Sequence, residues 1–229
     1  MGVIAENLRE IEEKIYLSCG RAGRDREAVR LMAVSKLQPE ESIREALDLG
    51  LRLFGESRVQ ETMSRTSLFP EDAEVHLIGH LQRNKARDAA SFYHAIQSID
   101  AVRTVEALEM RLDQAGRTIT AMVEVNTSGE ESKQGVTTYE DLLEVARSVQ
   151  EAKHMRLTGL MTIGPISTNE KILRTAFASL RDFRDRLERD LGAPLPELSM
   201  GMSNDLEEAI LEGATMVRIG SSLFGERRR

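Results

Sequence analysis

Residues 29–50 read VRLMAVSKLQPEESIREALDLG, and this stretch decides the fold. Positions 29–35 form a near-continuous apolar run, the pattern of a strand buried on both faces of a parallel sheet. Positions 40–49 place Ile43, Ala46 and Leu47 on one helical face and run into Gly50, a residue suited to closing a helix. The connection between them is Ser35-Lys36-Leu37-Gln38-Pro39. It lacks the glycine-rich fingerprint usual in the first turn of an open doubly wound sheet. The unit therefore reads as one strand–helix step of a barrel.

Working outward, seven more short runs rich in Val, Ile, Leu and Met follow, at 51–55, 74–79, 95–99, 119–126, 157–163, 197–202 and 216–220. Amphipathic stretches lie between them. Positions 102–115 end at Gly116, 170–191 stop at Gly192 before Pro194, and 205–211 end at Gly213; 138–149 carry Leu142, Leu143, Val145 and Ala146 at helical spacing. One extra helix, 4–17, precedes the first strand. Strand–helix alternation implies right-handed parallel crossovers. Eight strands are the number that closes a (β/α)8 TIM barrel, whose active site lies at the C-terminal strand ends. No Pro/Gly-rich linker divides the chain, so residues 1–229 are expected to form a single domain.

Composition narrows the function. The net charge of -7, an aromatic content of 4% and the absence of Trp argue against a nucleic-acid binder. A single cysteine, Cys19, excludes a disulfide framework and a Cys-rich zinc site. No pair of histidines with an acidic partner has metal spacing, so no metal is expected. No apolar run approaches the length of a membrane span, and the N-terminus lacks a signal-peptide core. A cytoplasmic protein with no membrane attachment is expected.

The strand ends hold the candidate chemistry. Six lysines occur, and only Lys36 ends a run as apolar as LMAVS. Lys85 and Lys133, on connections after strands three and five, read as solvated. Desolvation favours a neutral amine, which can attack a carbonyl to form a Schiff base. The alternative for Lys36 is a rim lysine that snorkels or pairs with a carboxylate. At the last two strand ends, Ser203 offers a hydroxyl, and Gly220 and Ser221 offer backbone N–H groups where barrels often bind phosphate. Asp205 reads as a helix N-cap. Arg218, inside an apolar strand, needs an acceptor, either a carboxylate neighbour or a ligand atom. His80 ends strand three and reads as a supporting residue, while His76, His94 and His154 lie at or before strand starts. Met200 reads as barrel packing or as part of a ring pocket. A group that is both aldehyde and phosphate ester fits this set, and pyridoxal 5'-phosphate (PLP) is the obvious one. A phosphorylated sugar handled by a Schiff-base aldolase would fit as well.

Several longer motifs then point one way: AVSK at 33–36, FGESRVQE at 54–61, HLIGHLQRNK at 76–85, VNTSGEESKQG at 125–135, GLMTIGP at 159–165, LSMGMSNDLEEAI at 198–210 and VRIGSSLFGER at 217–227. Together they resemble the pyridoxal phosphate homeostasis protein family across nearly the whole chain. The resemblance implies a barrel like that of alanine racemase, a fold-type III PLP-binding architecture. It implies that Lys36 carries the cofactor, that Ser203 and the amides of Gly220 and Ser221 hold its phosphate, and that Arg218 meets the pyridine nitrogen. In this family's F-G-E-N pattern the Asn would contact the ring side of the cofactor; this chain has the shorter Ser57 in its place, which does not reach as far.

The resemblance implies a PLP carrier or regulator, with a weak amino-acid racemase as the alternative. Racemisation needs acid/base groups on both faces of the α-carbon. None of Tyr16, Tyr93 and Tyr139 ends a strand, and the sequence stops soon after strand eight, so efficient racemisation is not expected. PLP-dependent apoenzymes are the expected partners and a monomer the expected state. Cys19 shows no basic or His neighbour marking a nucleophile. The loop at 130–133 reads as a polar rim or a lid over the mouth, and Arg227-Arg228-Arg229 as a basic tail.

Overall fold

Strand alternation sorts the side chains of this chain between two cores. Along the first strand Leu31 and Ala33 pack outward among the helices, while Met32 joins Leu53, Met122, Met161 and Met216 in a small cluster inside the barrel. The computed structural model describes residues 2–225. Its strands are β1 (Arg30–Val34), β2 (Leu53–Glu56), β3 (Glu74–Leu77), β4 (Ala95–Ile99), β5 (Ile119–Glu124), β6 (Met155–Met161), β7 (Glu197–Ser199) and β8 (Met216–Ile219). All neighbours pair in parallel, and β8 returns to β1 to close the barrel, with Met32 opposite Arg218. The closed eight-stranded barrel anticipated from the alternation is the observed fold.

The helices are α1 (Val3–Arg21), α2 (Glu40–Asp48), α3 (Val59–Met63), α4 (Ala86–Phe92), α5 (Val102–Ala115), α6 (Tyr139–Glu151), α7 (Glu170–Leu191), α8 (Leu206–Leu211) and α9 (Ser221–Phe224). Gly116 and Gly192 close α5 and α7 in the left-handed conformation, at φ of 62° each. α3, α4 and α9 were not anticipated. With five, seven and four residues, they are too short to display a helical period. β6 begins two residues earlier than its apolar run, because Arg156 sits exposed at the barrel's foot and breaks the pattern. α1 lies against α8 and α9, and its Ile4, Ile11, Ile15 and Cys19 are buried there. Burial pushes the Cys19 thiol pKa up, although Arg24 and Arg26 stand near enough to oppose it, neighbours the sequence did not suggest. No helix among the described residues is long and apolar enough to cross a membrane. The expected Arg227-Arg228-Arg229 tail lies outside the described residues.

Candidate functional site

The same two-residue period that points Met32 inward carries Val34, then Lys36, toward the mouth. Val34 and Lys36 line a pocket of about 490 Å³ at the C-terminal strand ends. Lys36 is half-buried and stands in a tight turn, because the Gln38 N–H donates to the Ser35 carbonyl at 3.1 Å. Leu37 occupies the next position at φ +60°, where a side chain is strained. A buried network holds this turn from behind. Arg65 donates to the carbonyls of Ser35 and Gln38 at 3.0 and 3.1 Å and to both oxygens of Glu56 at 2.7 and 2.8 Å. Ser35 donates to Glu56 at 2.5 Å, and the Leu37 N–H donates to Glu61 at 2.6 Å. Burial raises the Glu56 carboxyl against the opposing pull of Ser35 and Arg65.

The opposite wall is built by the ends of β7 and β8. The Ser203 hydroxyl lies 3.3 Å from the Ser221 hydroxyl and accepts from the Ser222 N–H at 3.3 Å. Ser203, Gly220, Ser221 and Arg218 line the pocket with Lys36. Asp205 sits at the N-cap position of α8, but its carboxylate turns back and accepts from the Met202 N–H at 2.5 Å.

Arg218 is buried, and its acceptors are neither of the two expected kinds. It donates to the Ser199 hydroxyl at 2.7 Å and the Thr162 carbonyl at 2.6 Å. Burial lowers its guanidinium to about 10, while Asp205 and Glu124 act in the opposite direction. The bonds continue inward. Ser199 donates to Gln97 at 2.6 Å, and the Gln97 amide lies 2.9 Å from His76 Nδ1. His76 is therefore joined to the pocket floor, although its place near a strand start suggested no link. Glu124, two residues beyond the inward Met122, is buried, and burial raises its carboxyl to about 7.

Of the remaining expected residues, Ser57 lines the pocket and its backbone packs against Gly79, where a Cβ would come within 2.3 Å of the Ser57 carbonyl. His80 is exposed and lines an adjoining cavity instead, 3.6 Å from Asp100. Met200 is fully buried in the core outside the barrel, not on the pocket surface. Lys133, expected in solvent, is half-buried on the pocket wall and donates to Gly164 at 2.6 Å and Glu130 at 2.9 Å. Its reach across the mouth follows from the β5–α6 loop folding over β6, which local sequence does not encode. Among the described residues no tyrosine lines the pocket. Tyr93 and Tyr139 donate to Thr62 and Asp190 elsewhere, and Tyr16 lies exposed on α1.

An amine on one wall, hydroxyls and N–H groups on the other, and a guanidinium in the floor form a donor set that fits PLP. Comparison with known proteins agrees with this geometry. The family model described as alanine racemase, N-terminal domain, matches residues 5–228. A pyridoxal phosphate homeostasis protein of Aquifex aeolicus is 41% identical over 224 residues, covering 97% of this chain and 98% of that protein. The structure of PipY from Synechococcus elongatus, solved with PLP bound, is 34% identical with a TM-score of 0.83, covering 97% of this chain and all of that one. An alanine racemase of Clostridium difficile shares the fold, with a TM-score of 0.76 at 13% identity over 98% of this chain and 58% of its own. The chain thus belongs to the pyridoxal phosphate homeostasis protein family, built on the alanine racemase N-terminal domain.

Proposed function

We propose that the chain binds PLP in the pocket at the C-terminal strand ends, with Lys36 holding its aldehyde as a Schiff base, and that it acts in PLP homeostasis as a carrier or regulator. The observation that carries the reading is one pocket lined by Lys36, Ser203, Gly220, Ser221 and Arg218. When bound, PLP supplies a conjugated ring able to draw electrons from an attached amine. The residues around it do the rest. Ser203, with the N–H groups that follow Gly220, orients the phosphate, and the Arg65–Glu56 network fixes the turn that presents Lys36. Arg218, a buried cation among the pocket-lining residues, would disfavour a proton on a ring nitrogen held against it, which would weaken the ring as an electron sink. That environment suits reversible holding better than sustained turnover. The absence of a tyrosine from the pocket lining supports the same choice over racemisation.

Residues 1–229 work in this reading as one cofactor-binding barrel, monomeric and cytoplasmic, that exchanges PLP with PLP-dependent apoenzymes. The test is an absorbance spectrum of the purified protein with added PLP, followed by borohydride reduction and peptide mapping. A visible band bleached by borohydride, with the pyridoxyl group on Lys36 and none in Lys36→Ala, is the expected result. A protein that takes up no PLP, or carries the adduct elsewhere, overturns the reading. A steady rate of amino-acid racemisation lost in Lys36→Ala overturns the carrier assignment.

A further inference from the structure

A second cavity, of about 990 Å³, opens beside the Lys36 pocket and shares Gln38 and Ser57 with it. Its lining combines the apolar Leu37, Pro39 and Val59 with the basic Arg58, Lys85 and His80. Its charges are unbalanced. Glu61, the acidic residue on its lining, is already engaged by the Leu37 N–H at 2.6 Å and Arg65 at 3.0 Å. His80 faces Asp100 at 3.6 Å. Among the described residues, the side chains of Arg58 and Lys85 have no hydrogen-bond or ion-pair partner. Lys85 is nevertheless half-buried, so its charge has lost part of its hydration without a protein acceptor in exchange.

We propose that this cavity binds a small organic dianion, a short-chain dicarboxylate. Two cations without protein partners match two carboxylates. The planar fork of Arg58 takes one in bidentate fashion and the Lys85 ammonium takes the other as a point charge. The methylenes between the carboxylates lie along Leu37 and Val59, a wall for which a purely polar anion such as a polyphosphate has no use. Among the described residues no Phe, Tyr or Trp lines the cavity to stack a nucleobase. Gln38 belongs to the turn that presents Lys36, and the short Ser57 leaves the two cavities in contact. The dianion is therefore placed to act on the neighbouring pocket.

The experiment is calorimetric titration of the full-length, cofactor-free protein with succinate at constant ionic strength, with butyrate and chloride as comparisons. It needs no PLP, so its outcome is independent of the cofactor reading. Saturable binding of one succinate per chain is expected, weakened about tenfold or more by Arg58→Ala and by Lys85→Ala. Arg87→Ala, on the exposed face of α4, leaves it unchanged. The absence of saturable binding, or binding indifferent to both cavity substitutions, overturns the proposal. Butyrate binding as tight as succinate overturns the assignment of a dianion.

Discussion

Lys36 owes its position to Arg65 and Glu56, which do not line its pocket. Arg65 is 8% exposed and Glu56 fully buried, so each is compensated chiefly by the other. Removing one partner of such a pair leaves an unpaired buried charge, which costs about 3–5 kcal/mol. Arg65→Met is expected to lower unfolding stability in urea by that amount, and adding Glu56→Gln to recover part of the loss. Glu124 gives a second prediction. Its carboxyl rises from 4.5 to about 7, so the folded chain keeps a proton that the unfolded chain releases. The stabilisation is full below pH 4.5 and is lost as pH rises through about 7. A ceiling of roughly 3 kcal/mol follows at 1.36 kcal/mol per pH unit. Thermal unfolding of Glu124→Gln should lack this fall between pH 4.5 and 7, and a profile parallel to that of the unaltered chain would refute the point. The pairing of Arg65 with Glu56 could not be found from the sequence. Arg65 lies in a short polar stretch, and the partner that gives Glu56 its meaning is nine positions away, across a turn. Lys36 was legible because one charged residue closing an apolar strand is a local anomaly.

At the scale of elements, the β5–α6 loop is fastened to the loop that follows β6. Lys133 ties it to the Gly164 carbonyl, Glu130 accepts from the Ile166 N–H at 3.2 Å, and Asn126 donates to the Glu130 carbonyl at 2.9 Å. The polar run at 130–133 is thus a strap between the loops after β5 and β6. Lys133→Met is expected to speed amide hydrogen exchange at 127–135 and 164–167 without changing exchange in β5 itself. Equal protection in both proteins would show that the strap holds nothing. The strands and long helices could be read directly, since α5 and α7 end where their glycines stand. The short α3 and α4 could not. They are held by tertiary contact, as Tyr93 shows by donating at 2.7 Å to Thr62 of α3.

Across the whole molecule, α1 joins the two ends of the barrel's chain order. Asn7 donates to the Leu223 carbonyl at 3.0 Å, and Lys14 and Arg21 each reach Glu207 at 3.1 Å. The exposed ion pairs contribute little; the buried isoleucines contribute the binding. Ile15 is fully buried, and Ile15→Ala is expected to cost about 2–4 kcal/mol and to raise hydrogen exchange in α8 and α9 as well as in α1. Loss confined to α1 would mean that it merely rests on the barrel. The barrel has a second internal connection. The His76–Gln97–Ser199–Arg218 chain runs from β3 through β4 to β7 and β8, across the bore. Mechanically it is a cross-brace between opposite staves. A tube braced in this way resists being squeezed oval, so its inner floor keeps one shape while the loops at its mouth rearrange. Entry and exit of a bound group then become the task of the rim alone, and the rate of exchange can be tuned there without loosening the seat beneath.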